Sequence, residues 1–130
     1  EARSAAASGR LAFGGHTRGH PVLPSLDDAH LRDQLVQCLA DLQRELGPGS
    51  YPFAYPHGRF DARVKLAVES TGFDSAGCSL GGTNEPWIPL YELRRVEIKG
   101  TDGQAAFILA VLLGMRLTPR ELIAKLVRGG

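Results

Sequence analysis

Short apolar segments alternate with helical patterns along this chain, and that alternation narrows its fold to a few architectures. The apolar segments are predicted to be strands and cover residues 11–15, 51–56, 73–80 and 93–98. Helical stretches of about ten to twenty residues separate most of them, which is typical of parallel βα units. Four strands are few for a closed barrel, so the sequence predicts an α/β fold around an incomplete parallel sheet.

The spacing of apolar residues and the signals at their ends place the first two helices. Ser25 is predicted to cap the first helix, with Asp28 three residues on, and Gly47 to end it. Its apolar stripe repeats at helical spacing and comprises Leu31, Leu35, Cys38, Leu39, Leu42 and Leu46. Asp61 is predicted to cap the second helix and Gly72 to end it. The second helix turns a smaller apolar set inward, namely Val64, Ala67 and Val68.

A third helical pattern lies near the end of the chain. The stretch from Ala105 to Met115 is apolar nearly all round, which predicts a buried helix. It is too short to span a bilayer. Thr118, Pro119 and Glu121 then form the cap, first position and capping-box glutamate of a further helix.

Composition limits the size and the partners of the fold. The chain has 130 residues, of which 43% are hydrophobic and 22% charged, so a single domain over residues 1–130 with one core is expected. The net charge of +1 gives no reason to expect a nucleic acid or an anionic membrane as the partner. Cys38 and Cys78 are far apart and lack metal-ligand spacing, so both are predicted to be buried free thiols.

The start of the chain is alanine-rich and ends at Gly9, like the last turns of a helix entered midway. It lacks the long apolar centre of a signal peptide. We therefore expect the chain to be the C-terminal part of a longer protein. The sequence leaves the cellular compartment undecided.

Two histidines follow the first predicted strand and one follows the second. His16 and His20 stand four positions apart, and neutral imidazoles are good ligands for zinc and similar divalent ions. Two such ligands need one or two more, and the spacing by itself is common. His57 and Gly58 end the second strand, and the carboxyl ends of parallel strands meet at one edge of a sheet. This coincidence favours a metal site there.

The residues of these motifs and their order resemble those of a known family. Gly15-His16-Thr17-Arg18-Gly19-His20-Pro21, a leucine-rich helix and Phe53-Ala54-Tyr55-Pro56-His57-Gly58-Arg59-Phe60-Asp61 resemble the polysaccharide deacetylase family, also called the NodB homology domain or carbohydrate esterase family 4. Residues 76–79 and 93–98 fit the later strands of that family, so the best-matched region is expected to be 11–103. The resemblance implies a (β/α) barrel, here partial and without its first strands. It also implies a hydrolase that removes acetyl groups from N-acetylated, sometimes O-acetylated, sugars of a polysaccharide.

The resemblance also implies roles for individual residues. His16 and His20 would be metal ligands for Zn²⁺ or another divalent ion, and Thr17 would support their turn. The backbone N–H of His57 would donate to the oxyanion of the reaction. The substrate would be contacted by the residues around that bend, namely Tyr55, Pro56, Gly58 and Arg59.

The chain departs from the family pattern in ways that affect catalysis. A motif ending in Asp-Asp, which supplies the third metal ligand and the catalytic base in the family, is absent before the histidines. The family's arginine is replaced by Ala54 and its aromatic residue by His57. The imidazole of His57 could be a general acid, a third ligand or a tolerated replacement. The chain alone is therefore expected to be inactive.

Two other functions stay open at this point. The chain could be a catalytically inactive homologue that acts as a glycan-binding or structural module, or part of an unrelated metallohydrolase. A barrel without its first strands would leave an open edge. That edge is expected to be covered by a second copy of the chain or by a missing N-terminal segment.

Overall fold

A computed structural model describes residues 1–114 of the chain. Its helices and strands are, in chain order, α1 (Ala2–Ala7), α2 (Asp28–Leu46), β1 (Phe53–Ala54), α3 (Ala62–Thr71), β2 (Ala76–Gly77) and α4 (Gln104–Leu113). Short 3₁₀ turns lie at Leu23–Ser25 and Pro56–Gly58. The chain divides into two compact units: the first holds residues 1–78 and 88–93, and the second holds 79–87 together with the residues from 94 onward.

The sheet of the first unit is parallel, as the alternation predicts. Phe53 of β1 is in register with Ala76 of β2, and Ala54 with Gly77. Gly15 forms a single parallel bridge to Phe53, and Leu93 forms one to Gly77. The four predicted strand segments therefore lie side by side in chain order, within a mixed α/β fold.

The strands themselves are shorter than predicted. The segments 11–15 and 93–98 contribute one bridge each instead of a strand, and Leu11 is 59% exposed. Leu93 is the bridged residue of the fourth segment, and beyond it the N–H of Arg95 donates to the carbonyl oxygen of Leu80 at 3.0 Å. Ile98, at the end of the fourth predicted segment, is 43% exposed. β1 and β2 are two residues long, and within residues 1–114 each has only a single bridge on its other side. A sheet with so few paired neighbours does not support longer strands.

The core of the first unit lies between this sheet and the helices α2 and α3. Its buried side chains are Leu23, Leu31, Leu35, Cys38, Tyr51, Phe53, Tyr55, Val64, Val68, Phe73, Ala76 and Cys78. Both cysteines are free and buried, which confirms the prediction for them. Arg63 of α3 joins the two helices, because its guanidinium pairs with Asp28 at 2.7 Å and donates to the carbonyl oxygen of Leu26 at 2.8 Å.

The helix caps agree with the sequence at α3 and differ at α2. Asp61 accepts a hydrogen bond from the backbone N–H of Val64 at 2.8 Å, and Gly72 ends α3 in the left-handed conformation with φ 103°. The cap of α2 is Asp27 and not Ser25, because Asp27 accepts from the backbone N–H of His30 at 2.8 Å. Ser25 instead closes the preceding 3₁₀ turn through its own hydroxyl.

The second unit contains α4, which forms as predicted but is not buried. Ala110 is its buried residue, whereas Val111 is 60% and Leu112 70% exposed. A helix that is apolar on every side leaves most of that surface exposed when only one side is covered. Met115 and the predicted helix start at 118–121 lie outside the described residues. Within the described residues, no helix is both long and apolar enough to cross a membrane.

Candidate functional site

Gly15 fixes the place where His16 leaves the sheet. Its N–H donates to the carbonyl oxygen of Pro52 and its own carbonyl accepts from Ala54, both at 2.8 Å. A Cβ on Gly15 would lie 2.6 Å from the ring of Phe73, so only glycine fits at this point. His16 therefore follows Gly15 at the edge of the sheet, beside the carboxyl end of β1.

The His16 ring is oriented by a backbone carbonyl. Its Nδ1 lies 2.7 Å from the carbonyl oxygen of Ala54, and because that oxygen can only accept, the hydrogen sits on Nδ1. The lone pair of the neutral ring is then on Nε2. Histidine ligands of metals commonly donate their second nitrogen to a carbonyl in this way. The His16 ring thus offers one ligand nitrogen to solvent.

The loop between the two histidines is tightly turned. Thr17 and His20 both have left-handed backbones, with φ 62° and 54°. The hydroxyl of Thr17 accepts from the N–H of His20 at 3.0 Å, and the side chain of Gln34 accepts from the N–H of Gly19 at 3.0 Å. Arg18 pairs with Asp41 of α2 at 3.0 Å. The loop is therefore held at both ends and against α2.

The bend after β1 brings His57 to the same edge. His57 has φ 56° and Gly58 has φ 65°. The N–H of Gly58 donates back to the carbonyl oxygen of Tyr55 at 2.9 Å, and that of Arg59 to Pro56 at 3.1 Å. The backbone N–H of His57 meets no acceptor within residues 1–114, which leaves it available to a ligand.

The three rings pack against one another. The ring centroids of His16 and His20 are 4.7 Å apart and those of His20 and His57 are 4.4 Å apart, both edge to face. All three side chains are exposed. We call His16, His20 and His57 the histidine cluster. Among the described residues, the non-glycine residues with a left-handed backbone are Thr17, His20 and His57, so each of them belongs to this cluster or to its loop. Strain of this kind, about 1–3 kcal/mol per residue, concentrates at functional sites.

The other predicted substrate residues divide into buried and exposed ones. Tyr55 is fully buried, its hydroxyl donates to the carbonyl oxygen of Tyr91 at 2.9 Å, and its ring stacks on Phe60. Burial raises the pKa of Tyr55 above its usual value. Pro56 is buried as well, so neither side chain lies on the surface where substrate contact was predicted. Gly58 is half-buried and Arg59 exposed.

An open groove of about 430 Å³ runs beside His16, between its loop and α2. Phe13, Leu42 and Leu46 give it apolar walls, and Asp41 and Glu45 give it acidic ones. A ligand held at His16 therefore has room to extend along α2.

Sequence reasoning missed two parts of the site. The carbonyl of Ala54 orients His16, and the amide of Gln34 holds Gly19. A backbone carbonyl carries no sequence signal, and Gln34 is an ordinary polar residue of a helix. The site therefore contains the imidazoles of His16, His20 and His57 and the backbone N–H of His57. No three His, Cys, Asp or Glu side chains within the described part of the chain are already grouped to hold a metal ion.

One protein-family model matches most of this chain. The family model described as "Polysaccharide deacetylase" matches residues 1–76, more than half of the chain. That range includes both histidine motifs and does not reach the 93–98 segment. The search of curated proteins found no match.

Several solved structures share the fold. A polysaccharide deacetylase from Bacillus cereus superposes with a TM-score of 0.73 at 22% identity, over 84% of this chain and 34% of that one. A Streptococcus pyogenes deacetylase in complex with acetate gives 0.69 at 19% identity, over 74% and 42%. A de-N-acetylase from Aggregatibacter actinomycetemcomitans gives 0.67 at 16%, over 82% and 50%. The chain thus spans about a third to a half of the length of these proteins.

Proposed function

Since this chain belongs to the polysaccharide deacetylase family, we propose that it is part of a metal-dependent hydrolase that removes acetyl groups from the N-acetylated or O-acetylated sugars of a polysaccharide. The observation that carries this proposal is the meeting of His16, His20 and the His57 bend at one sheet edge. The partial (β/α) barrel and the single domain over residues 1–130 are part of the same proposal.

His16 and His20 are the residues that would hold Zn²⁺ or another divalent metal. The hydrogen bond from His16 Nδ1 to Ala54 supports this, because it fixes the tautomer that a ligand needs. When bound, such a metal polarises an acetyl carbonyl and acidifies a water molecule.

The bend after β1 would bind the reacting acetyl group. The backbone N–H of His57 has no acceptor in the described part of the chain, so it can donate to the oxygen on which negative charge develops. Tyr55 and Pro56 would act from the core by fixing the bend. Gly58 and Arg59 would face the substrate, with Arg59 donating to sugar or acetyl oxygens.

The chain alone would bind the metal weakly and release no acetate. Its sequence has no Asp-Asp motif before the histidines, and the described residues hold no third ligand already in place. The second candidate function is that of a catalytically inactive homologue that serves as a glycan-binding or structural module.

Calorimetric titration of Zn²⁺ into the full chain tests the metal site. We expect heat for about one ion per chain, which His16→Ala removes. His30→Ala is the matched control, because His30 is an exposed histidine at the start of α2 and should leave the heat unchanged. Equal heats from the unmodified chain and His16→Ala would contradict the proposal.

Acetate release from acetylated glucosamine oligomers separates the two candidate functions. Zinc binding without acetate release is expected if the catalytic carboxylates must come from another segment. Acetate release that disappears in His16→Ala would instead establish a complete catalyst on this chain. Glycan binding that is unaffected by His16→Ala or by zinc would favour the non-catalytic module.

A further inference from the structure

We infer that Gln34 of α2 is a positioning residue that sets where the imidazole of His20 stands. The inference rests on the proposed function and deepens it, because His20 is one of the two residues that would hold the metal there. Gln34 touches neither metal nor substrate in this role. It acts through the backbone of Gly19, whose N–H donates to the side-chain oxygen of Gln34 at 3.0 Å.

His16 and His20 are supported by different parts of the molecule. His16 follows Gly15, which is bridged to the sheet, and the carbonyl oxygen of Ala54 orients its ring at 2.7 Å. Within residues 1–114, no backbone hydrogen bond joins His20 to the sheet. The sheet therefore positions His16, and His20 needs a support of its own.

The backbone of His20 makes this need stronger. Its φ is 54°, a left-handed conformation that costs free energy in a residue other than glycine. Pro21 comes next, and the residue before a proline prefers an extended backbone. A backbone conformation of this kind persists only where the surrounding contacts hold it.

The hydrogen bond from Thr17 does not supply the whole of that support. The hydroxyl of Thr17 accepts from the N–H of His20 at 3.0 Å. Both residues belong to the same loop, so this bond shapes the loop without fixing it to the rest of the molecule. Contacts between the loop and α2 do fix it.

Two residues of α2 make these contacts, and Gln34 is the stronger anchor. Gln34 and Asp41 are seven positions apart, so they lie on one face of α2, about 10 Å apart along its axis. Asp41 pairs with Arg18 at 3.0 Å, but the side chains are 31% and 56% exposed, and such ion pairs contribute little. Gln34 is half-buried and holds a backbone N–H one residue before His20.

Calorimetric titration of Zn²⁺ into the full chain tests the inference. Gln34→Ala removes the acceptor and introduces a good helix former, so α2 should still fold. We expect this variant to bind Zn²⁺ about tenfold more weakly, as is typical when a partner that orients a metal ligand is lost. The midpoint of its urea unfolding should stay close to that of the unmodified chain.

A conservative variant and a neighbouring glutamine give the controls. Gln34→Glu keeps an acceptor oxygen at the same place and should restore the affinity. Gln37 is exposed on the same helix, so Gln37→Ala and Gln37→Glu should both leave the affinity unchanged. Unchanged affinity in Gln34→Ala would overturn the inference and leave the two-histidine site standing. An equal gain in affinity from Gln34→Glu and Gln37→Glu would attribute the recovery to charge and would also overturn the inference.

NMR of the metal-free chain gives a readout that does not depend on zinc. In Gln34→Ala the ring-proton resonances of His20 should move, because its ring contacts with His16 and His57 change. The backbone amide resonance of Ala54 should stay in place, because its hydrogen bond to Gly15 lies in the sheet. His20 resonances that do not move would overturn the inference. Absence of zinc binding by the unmodified chain would instead overturn the metal site of the proposed function, and the His20 resonances alone would then decide the role of Gln34.

Discussion

The two compact units are both rich in apolar residues, yet within residues 1–114 the hydrophobic core is built by the first unit. In the first unit α2 buries Leu31, Leu35 and Cys38 on one side and exposes charged residues on the other. In the second unit α4 is apolar on all sides and buries only Ala110 among its residues. A one-sided pattern, and not apolar content, is therefore what builds a core here.

The unit that has the core also carries the candidate site. The histidine cluster lies in the first unit. It is supported by Gly15, Ala54 and the bend at Tyr55, each of which is fixed by backbone hydrogen bonds or burial. Sites need such rigid supports to hold ligands in place. The stability of the first unit should therefore control the site, and the following changes test this from the largest effect to the smallest.

Removing a core leucine of the first unit should have the largest effect. Leu35 is fully buried, and Leu35→Ala is expected to lower the free energy of unfolding by about 2–5 kcal/mol, because a cavity adds to the lost burial. Urea unfolding followed by far-UV circular dichroism measures the change.

Leu112→Ala is the matched control in the second unit. Leu112 is also a helical leucine but is 70% exposed, so its loss should change the free energy of unfolding by no more than about 0.5 kcal/mol. Equal losses in the two variants would remove the contrast between the units.

A smaller change should act where the site joins the sheet. Gly15→Ala adds a Cβ that would lie 2.6 Å from the Phe73 ring and 3.0 Å from the Phe53 ring. We expect a loss of about 1–3 kcal/mol from overpacking, measured by the same urea unfolding. The metal affinity should fall as well, because His16 follows Gly15.

Gly19→Ala provides the comparison within the same loop. A Cβ on Gly19 would meet only Gln34, at an ordinary distance of 3.5 Å. Its stability and metal affinity should stay close to those of the unmodified chain. If Gly15→Ala behaved like Gly19→Ala, the close packing beneath His16 would not be what positions that residue.

Much of the first unit follows from its sequence because its signals are local. The cap of α3 at Asp61, its end at Gly72 and the apolar stripe of α2 need only neighbouring residues to be recognised. The meeting of His16 and His57 at one edge follows from a single rule about parallel strands.

The remaining features depended on how neighbouring segments are placed, and several of these contacts join residues that are distant in the sequence. The choice of Asp27 over Ser25 as the cap of α2 depends on how the preceding turn is placed. The burial of Tyr55, predicted to face substrate, depends on Tyr91 and Phe60 packing over it. The exposure of α4 depends on which other segments pack against it, and the residues of α4 alone do not show this.

Alkaline pH offers the smallest and most selective test, because all the tyrosines of the chain, at 51, 55 and 91, lie in the first unit. Burial raises the pKa of both Tyr55 and Tyr91 in the folded chain. A pKa raised by folding gives stability that is complete below the unfolded pKa of about 10 and is lost as pH rises through the folded value. The unmodified chain should therefore keep its stability up to about pH 10 and lose it above.

Tyr55→Phe separates the two contributions of that hydroxyl. At pH 8 the variant should be less stable by about 1 kcal/mol, since it loses the hydrogen bond to the carbonyl of Tyr91 and leaves that carbonyl unpaired. Above about pH 10 its stability should fall less steeply than that of the unmodified chain, because one buried hydroxyl no longer ionises on unfolding. Urea unfolding at several pH values gives both quantities. Parallel alkaline slopes in the two proteins would show that Tyr55 is not the buried group that makes the first unit sensitive to base.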